Sequence, residues 1–325
     1  MLIVKSEFLL TVIIPAYFEE AVIEACYDAL KIVMDENKWK YEFIFVNDGS
    51  KDQTLPLLKQ IAEKDRCVKV IDFARNFGHQ VAVTAGIYHS SGDATVVIDA
   101  DLQDPPEVIV QMVEKWQEGY DVVYAKRKKR KGESWFKLVT AKCFYRFLHM
   151  MAEIEIPMDT GDFRLIDRCV VEAFKQMPER NRFVRGMISW VGFDQTYIEY
   201  ERDERLAGET KYPLKKMIRF ATDGIIAFST KPLKLVQSLG FMTIVLAILI
   251  LGYSLVSKYI LQTVVSGWTS LMVTITFFSG VQLFSIGLLG EYIARIYDES
   301  KNRPLYLIKE KINFEKENRM FNENK

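Results

Sequence analysis

Two carboxylates stand one residue apart directly after an apolar run. The segment 95–98 is followed by Asp99, Ala100 and Asp101, and Gln103 comes next but one. From the end of one strand, both carboxylates can direct oxygen atoms at a single point, and hard cations such as Mg²⁺ bind oxygen ligands, usually sharing them with substrate phosphates. Turns are also rich in aspartate, so the pair gains weight only from its place at a strand end.

Three other apolar runs end in polar segments of the same kind, at 15–20, 47–50 and 74–78. Ligands of open α/β sheets bind beyond the carboxyl ends of the strands, so these segments and 99–104 are predicted to converge on one crevice. The sequence lacks Gly-x-Gly-x-x-Gly after the first strand, Gly-x-x-x-x-Gly-Lys-Ser/Thr and Gly-x-Ser-x-Gly. Dinucleotide dehydrogenases, P-loop NTPases and α/β-hydrolases are therefore disfavoured.

The elements that must position these segments alternate strands with helices. The apolar runs predict buried strands at 9–14, 41–46, 68–73 and 94–98. Patterns of helical length lie between them, as at 19–36 and 52–65. This order predicts a doubly wound α/β sheet.

The overall composition gives no argument for a nucleic-acid partner, because 43 Lys and Arg balance 43 Asp and Glu. The four cysteines are widely separated and are predicted to be reduced; they are Cys26, Cys67, Cys143 and Cys169. The N-terminus lacks the charged, apolar and small-residue order of a signal peptide, so the main domain is expected in the cytoplasm.

Two segments, 235–257 and 268–290, run without a charged residue. Each reaches about 34 Å as a helix, enough to cross a hydrocarbon core of about 30 Å, so a transmembrane hairpin is predicted. Basic residues flank the pair on its outer sides, whereas Lys258 is the basic residue between the spans. The positive-inside rule then puts both termini in the cytoplasm, with the protein in the plasma membrane.

The segment 211–229 alternates apolar and basic residues at helical spacing, which is typical of an amphipathic helix on an anionic membrane surface. An ordinary surface helix is the alternative. The predicted division of the chain is a catalytic domain at 1–210, membrane-interface helices at 211–232, two spans within 233–292 and a cytoplasmic tail at 293–325.

Five motifs together resemble the family 2 glycosyltransferases of the Rossmann-like GT-A fold. They are Val12-Ile-Ile-Pro-Ala-Tyr-Phe-Glu-Glu20, Val46-Asn-Asp-Gly-Ser50, Ala74-Arg-Asn-Phe-Gly78, Asp99-Ala-Asp-Leu-Gln-Asp-Pro-Pro-Glu107 and Thr160-Gly-Asp-Phe-Arg-Leu165. With the two spans, the chain looks like the polyprenyl-phosphate sugar transferases, the group of bactoprenol glucosyltransferases and dolichol-phosphate mannose synthases.

The resemblance implies a nucleotide-sugar donor and a bound Mg²⁺ or Mn²⁺. The metal and the diphosphate would be gathered by Asp99, Asp101 and Gln103. The implied nucleotide-sugar-binding residues are Pro15, Tyr17, Glu19, Asp48, Arg75, Asn76, Gly78, Asp99, Ala100, Asp101 and Gln103. His79 directly follows the segment 75–78. It is interpreted as an ordinary histidine at a helix start and is left out of the site.

The acceptor is predicted to be a polyprenyl phosphate such as undecaprenyl phosphate. A lipid monophosphate has a second pKa near 6, so at neutral pH it is largely a dianion and needs cations more than a base. The run Lys126–Lys131 supplies cations, although a solvated charge run is the alternative for most of it. The resemblance implies Arg127, Lys137 and Thr140 as ligands of the acceptor phosphate, with Phe136 where relatives often have arginine.

Two further residues are implied in catalysis beside Asp101. Arg205, in a segment resembling the family's Arg-x-x-Gly-x-Ser-Lys motif, would close over the diphosphate and stabilise leaving-group charge. Asp162 would orient the sugar or assist as a weak base. The predicted reaction is an inverting in-line displacement by the lipid phosphate.

The segments around Glu133 and at 160–165 look closer to the bacterial glucosyl-type members, so the resemblance implies UDP-glucose as the donor and a lipid-linked sugar that modifies cell-envelope glycans as the product. The resemblance also implies a homo-oligomer, such as a tetramer. A processive polysaccharide synthase and a non-catalytic membrane carrier that binds nucleotide-sugars are the alternatives. The synthase is disfavoured because Trp190 does not stand in a Gln-x-x-Arg-Trp motif, and the carrier because two spans are too few to enclose a transport path.

Overall fold

The computed structural model describes residues 7–128, 160–201, 231–260 and 267–314. The chain divides into two compact units. The first unit contains residues 7–128, 160–201 and 303–314, and the second contains 231–260 and 267–302.

The predicted strands and helices of the first half are confirmed. The strands are β1 (Leu9–Ala16), β2 (Lys40–Asn47), β3 (Val68–Phe73), β4 (Ala94–Val97) and β5 (Val122–Arg127). The helices are α1 (Ile23–Glu36), α2 (Thr54–Lys64), α3 (His79–His89) and α4 (Val108–Gln117). The strand interiors are almost wholly buried, as their continuous apolar sequences predict.

Further along the chain the first unit contains β6 (Thr160–Asp167), α5 (Arg168–Lys175), α6 (Val184–Trp190), β7 (Gln195–Tyr200) and β8 (Ile308–Ile312). The sheet has the order β7-β5-β6-β4-β1-β2-β3-β8. Its centre is parallel, as predicted, because β1 pairs in parallel with both β2 and β4.

The sheet is mixed, because β6 and β8 run antiparallel to their neighbours. The antiparallel direction of β6 brings its first residues to the edge at which β4 ends. Val97 of β4 lies opposite Arg164 of β6, and His79 Nε2 lies within 4 Å of both Asp99 and Asp162, so both carboxylates lie on this side of the sheet. Within the described residues, this site edge of the sheet combines the carboxyl ends of the parallel strands with the beginnings of β6 and β8.

The C-terminal segment differs from the predicted tail. The last helix continues past Gly290 to Ser300, and residues 308–312 then form β8 on the edge of the sheet beside β3. This stretch is largely polar and carries scattered apolar residues. They pack against the sheet edge, where Tyr306, Ile308 and Phe314 contact the apolar cluster around Phe73.

The second unit contains two long apolar helices, α7 (Lys231–Tyr259) and α8 (Trp268–Ser300). By length and composition each could cross a membrane. Large apolar side chains such as Phe241, Leu249 and Phe284 are exposed on them. The predicted interface helix at 211–229 lies outside the described residues.

Helix α3, which begins at the site edge, lies very close to β1. A Cβ atom built at Gly86 would lie 2.2 Å from Cγ2 of Ile13, a side chain that is fully buried. The absence of a side chain at Gly86 therefore sets the distance between α3 and the sheet.

We expect Gly86→Ala to lower the stability by about 1–3 kcal/mol, because a fully packed core has no room for the added methyl group. In an Ile13→Ala background, where the opposing methyl groups are gone, the same change should cost little or increase stability. Thermal melts of the four proteins of this cycle measure the coupling. Equal effects of Gly86→Ala in both backgrounds would contradict the packing explanation.

Candidate active site

The segments after β1 and β2 are joined to each other by hydroxyl groups. The Phe18 amide donates to Ser50 Oγ at 3.1 Å, and the Glu19 amide donates to Thr54 Oγ1 at 3.0 Å. Phe18 has a φ of 56°, a conformation that is unfavourable for a bulky residue. Beside it, Pro15 is buried at the end of β1 and the Tyr17 ring is 39% exposed. This wall of the crevice therefore presents an aromatic side chain held on a constrained turn.

Asp48 supports the predicted nucleotide loop, which we define as residues 75–78. Its Oδ1 accepts from the Phe77 amide at 2.6 Å and its Oδ2 accepts from the Gly78 amide at 2.9 Å. Gly49 has a φ of 71°, and a Cβ atom there would lie 2.5 Å from the carbonyl carbon of Arg75. The turn after β2 and the nucleotide loop are thus packed backbone against backbone, and only glycine fits at their contact.

Two side chains of the nucleotide loop, Arg75 and Asn76, are exposed. The Arg75 guanidinium lies over the Phe77 ring, 4.1 Å from its centroid, and its Nη1 donates to the Asn76 carbonyl oxygen at 3.0 Å. Gly78 has a φ of 102° and precedes the first residue of α3. The loop therefore presents a cation and backbone groups next to a helix N-terminus, an arrangement suited to binding phosphate.

The acidic segment after β4 is folded tightly on itself. Asp101 Oδ1 accepts from the Gln103 amide at 3.2 Å, and Leu102 between them has a φ of 54°. Ala100 and Gln103 are buried, whereas Asp99 and Asp101 are partly exposed. The two carboxylates and the Gln103 side chain are the oxygen donors that this segment offers to a divalent cation.

Asp162 is contacted by side chains from two helices. Arg185 approaches it with two nitrogens, Nε at 2.7 Å from Oδ1 and Nη2 at 3.2 Å from Oδ2. His79 Nε2 lies 3.0 Å from Oδ2 and 3.8 Å from Asp99 Oδ1. Gln80 Nε2 also donates to Asp162, at 3.3 Å. Asp162 is therefore held by side chains from α3 and α6, and His79 lies between it and Asp99.

These contacts determine the protonation of the group. Burial alone would raise the pKa of Asp162, but the charges of Arg185 and His79 hold it well below its ordinary value. Burial lowers the pKa of His79, yet the hydrogen bond to Asp162 and the charge of Asp99 raise it to about 9. A carboxylate held so strongly as an anion is a poor base, so the contacts favour the orienting role predicted for Asp162 over the weak-base role.

Asp99 lies in an excess of negative charge. Burial raises its pKa, His79 opposes that rise, and the carboxylates of Asp162, Asp104 and Asp101 add to it. Among the described residues, three carboxylates raise the pKa of Asp99 and His79 lowers it, so the charges around Asp99 do not cancel the effect of burial. Such a position suits a bound cation.

Arg127, the predicted acceptor-phosphate ligand, is at the end of β5. Its Nε donates to Tyr200 Oη at 3.2 Å, and its Nη2 lies 3.8 Å from Asp104 Oδ1. The Tyr200 hydroxyl donates in turn to the buried Asp104. The guanidinium is therefore fixed from one side while about a third of the side chain, 35%, remains accessible.

Another group of possible metal ligands consists of Asp121, Asp167 and Cys169. Its atoms already have structural partners: Asp167 Oδ1 accepts from the Cys169 amide at 2.8 Å and Oδ2 from Trp116 Nε1 at 2.7 Å. Burial and the two carboxylates raise the pKa of the Cys169 thiol to about 12, so it is not a thiolate at neutral pH. This group is better explained as the cap of α5 than as a metal site.

The sequence predicts Asp162 but not its partners. Arg185 lies in none of the motifs, and His79, interpreted from the sequence as a histidine at a helix start, is the first residue of α3. Neither residue carries a local signal of its contact with Asp162, because Asp162 is distant in the chain. Three predicted residues, Lys137, Thr140 and Arg205, lie outside the described residues.

Coupling between Asp162 and Arg185 can be measured directly. We expect Asp162→Asn and Arg185→Gln each to lower the melting temperature, because each leaves a partly buried partner without its counter-charge. The double variant should be more stable than the sum of the two losses predicts, by about 1–3 kcal/mol. Strict additivity in thermal melts would contradict a direct ion pair.

Comparison with known proteins identifies the family of the chain. The family described as Glycosyl transferase family 2 matches residues 11–174, and the GtrB C-terminal hairpin matches residues 231–296. The glucosyl-3-phosphoglycerate synthase of Mycobacterium tuberculosis, solved with Mn²⁺, UDP and phosphoglyceric acid, has a TM-score of 0.45 at 20% identity over 69% of this chain and 78% of its own. That likeness is too distant to carry an activity.

The curated relatives are much closer. The uncharacterized glycosyltransferase YkcC of Bacillus subtilis is 54% identical over 305 residues, 94% of each chain. The bactoprenol glucosyl transferase of Shigella phage SfV is 42% identical over 300 residues, 92% of this chain and 98% of its own. These matches confirm the family predicted from the motifs: the chain is a glycosyltransferase and belongs to glycosyl transferase family 2.

Proposed function

We propose that this enzyme transfers glucose from UDP-glucose to a polyprenyl phosphate, with inversion at the anomeric carbon. The observation that carries the proposal is the 42% identity with a bactoprenol glucosyl transferase over 92% of the chain, which includes the C-terminal hairpin as well as the catalytic domain. Bactoprenol is a polyprenyl lipid, and an acceptor of this kind fits a chain with two long apolar helices.

The donor side of the proposal assigns the nucleotide to the first three strand ends. Tyr17 offers an exposed ring for a base, and the nucleotide loop offers Arg75 and backbone groups beside the start of α3. Asp48 stabilises the conformation of this loop by accepting hydrogen bonds from two of its amides. Its carboxylate oxygens retain lone pairs that can accept further hydrogen bonds from a ligand.

Asp99, Asp101 and Gln103 would hold Mg²⁺ or Mn²⁺, and the raised pKa of Asp99 in its acidic surroundings fits a cation there. When bound, the metal would neutralise charge on the departing nucleoside diphosphate. Asp162, fixed as an anion by Arg185 and His79, would accept hydrogen bonds from sugar hydroxyls and so orient the reacting carbon.

On the acceptor side, Arg127 would draw the lipid phosphate toward the donor. The phosphate is largely a dianion at neutral pH and is its own nucleophile, so the strongly ionised Asp162 is not needed as a base. Bringing a dianion near a group of carboxylates requires a fixed cation, and Arg127 is fixed by Tyr200. Lys137, Thr140 and the diphosphate-binding Arg205 complete the proposed set.

We also propose that α7 and α8 cross the plasma membrane and that the catalytic domain and both termini are cytoplasmic. The lengths and compositions of the helices support the crossing. Basic residues at the outer ends of the pair support the orientation, with Lys231 and Lys234 in the first turn of α7 and Arg303 just after α8. A homo-oligomer and membrane-interface helices at 211–232 remain predictions.

The decisive experiment combines the purified full-length protein with undecaprenyl phosphate, a divalent cation and one nucleotide-sugar at a time. We expect UDP-glucose to give a lipid-linked monosaccharide, with UDP released only when the lipid phosphate is present. Asp101→Asn should reduce transfer by about a hundredfold or more, because removal of a group that stabilises transition-state charge has effects of this size. Asp28→Asn, which changes an exposed carboxylate on α1, is the matched control.

Four outcomes would contradict all or part of the proposal. Polymeric product would favour a processive synthase, and nucleotide binding without turnover would favour a carrier. Full activity of Asp101→Asn would remove the metal assignment. Efficient use of another nucleotide-sugar in place of UDP-glucose would correct the donor while retaining the reaction.

The role of Arg127 can be separated from that of its basic neighbours. We expect Arg127→Gln to raise the KM for the lipid phosphate about tenfold or more, with the donor KM nearly unchanged, because a charge-assisted hydrogen bond to the acceptor is lost. Lys128→Gln, which removes a more exposed cation one residue away, should have little effect in the same assay. Equal effects of the two substitutions would indicate general attraction of the headgroup instead.

A further inference from the structure

The C-terminal segment 303–314 is attached to the catalytic domain at many points. Strand β8 pairs with β3, with Val70 opposite Ile312 and Phe73 opposite Ile308. Asn313 Nδ2 donates to the carbonyl oxygens of Ala62 and Val68, at 2.7 and 2.8 Å. The segment therefore belongs structurally to the nucleotide-binding half of the sheet, although it follows the hairpin in the chain.

One end of this attachment reaches the residues that lead into the nucleotide loop. The Ala74 amide donates to the Leu307 carbonyl oxygen at 2.9 Å. The Tyr306 ring stacks on Phe73, with centroids 5.1 Å apart and planes 20° apart. Residues 306 and 307 thus contact the two positions immediately before Arg75.

From Phe73 the contacts continue into the loop itself. The Phe73 and Phe77 rings meet edge to face at 5.6 Å, and both belong to the apolar cluster that Tyr306 covers. Phe77 carries the amide that donates to Asp48 at 2.6 Å. Contacts therefore run from Tyr306 through Phe73 and Phe77 to the hydrogen bond that shapes the loop.

We infer that Tyr306 is a positioning residue for nucleotide binding, acting through Phe73 and Phe77 on the conformation of loop 75–78. The inference rests on the proposed donor role of that loop. Residues 74–76 are exposed on one side and touch the turn at Gly49 on the other, so the conformation of the loop depends on its neighbours. Asp48 secures the end near α3, and the C-terminal segment secures the end near β3.

The matched control is Phe314. It also packs on the same cluster, but against His89, at 5.8 Å between rings, and beneath Lys69. Removing either ring should lower the melting temperature, since both lose aromatic packing. Tyr306 differs in that its partner, Phe73, contacts the nucleotide loop.

We expect Tyr306→Ala to raise the KM for the nucleotide-sugar about three- to tenfold, with kcat at saturating donor nearly unchanged, which corresponds to the loss of one aromatic pair. Tyr306→Phe, which keeps the ring, should restore the wild-type value. Phe314→Ala should leave the donor KM near wild type. Calorimetric titration of each full-length protein with UDP repeats the comparison without turnover.

The outcomes separate this inference from the proposed function. If the wild type binds UDP and the Tyr306→Ala and Phe314→Ala proteins bind it equally well, or are equally weakened, the positioning role is overturned while the donor assignment stands. If Tyr306→Phe is as weak as Tyr306→Ala, stacking is not the cause and the role is overturned too. If the wild type binds no UDP, the donor assignment fails, and the positioning role fails with it.

Discussion

The antiparallel pairing of β6 with β4 decides which side chains meet at the centre of the site. A parallel strand in the same place would bring its carboxyl end to this edge. Because β6 runs the other way, it brings Gly161 and Asp162 there, near the acidic segment that follows β4. Asp162 in β6 and the proposed metal ligands that follow β4 are then positioned by neighbouring strands of one sheet, which is a rigid support.

This pairing places several carboxylates close together, and neighbouring cations offset part of their charge. Asp99, Asp101, Asp104 and Asp162 bring negative charge close together, and buried charges persist only when they are paired. Arg185 pairs with Asp162, and His79 lies between Asp162 and Asp99. Arg127 and Tyr200 engage Asp104. Asp99, whose pKa the neighbouring carboxylates raise, is where a divalent cation would offset part of the negative charge.

On the nucleotide side of the crevice, the loop 75–78 is held by the turn after β2 and by the C-terminal segment. Gly49 allows the turn after β2 to touch the Arg75 backbone, and Asp48 accepts two loop amides. At the other end, the C-terminal segment adds a strand and an aromatic ring beside Phe73. The chain after the two long apolar helices thus contributes to the half of the domain that would bind the donor.

The sequence by itself determined the local features: the buried strands, the polar segment at each strand end, the acidic pair Asp99 and Asp101, and the two apolar helices. Each of these features is encoded by a short stretch of residues, either an apolar run or a motif. Only the tertiary structure decided that His79 and Arg185 converge on Asp162 and that residues 308–312 form the edge strand beside β3. Those contacts join residues far apart in the chain, and strand order and direction bring them together. Short-range periodicity does not encode that order, so no local pattern could have identified them.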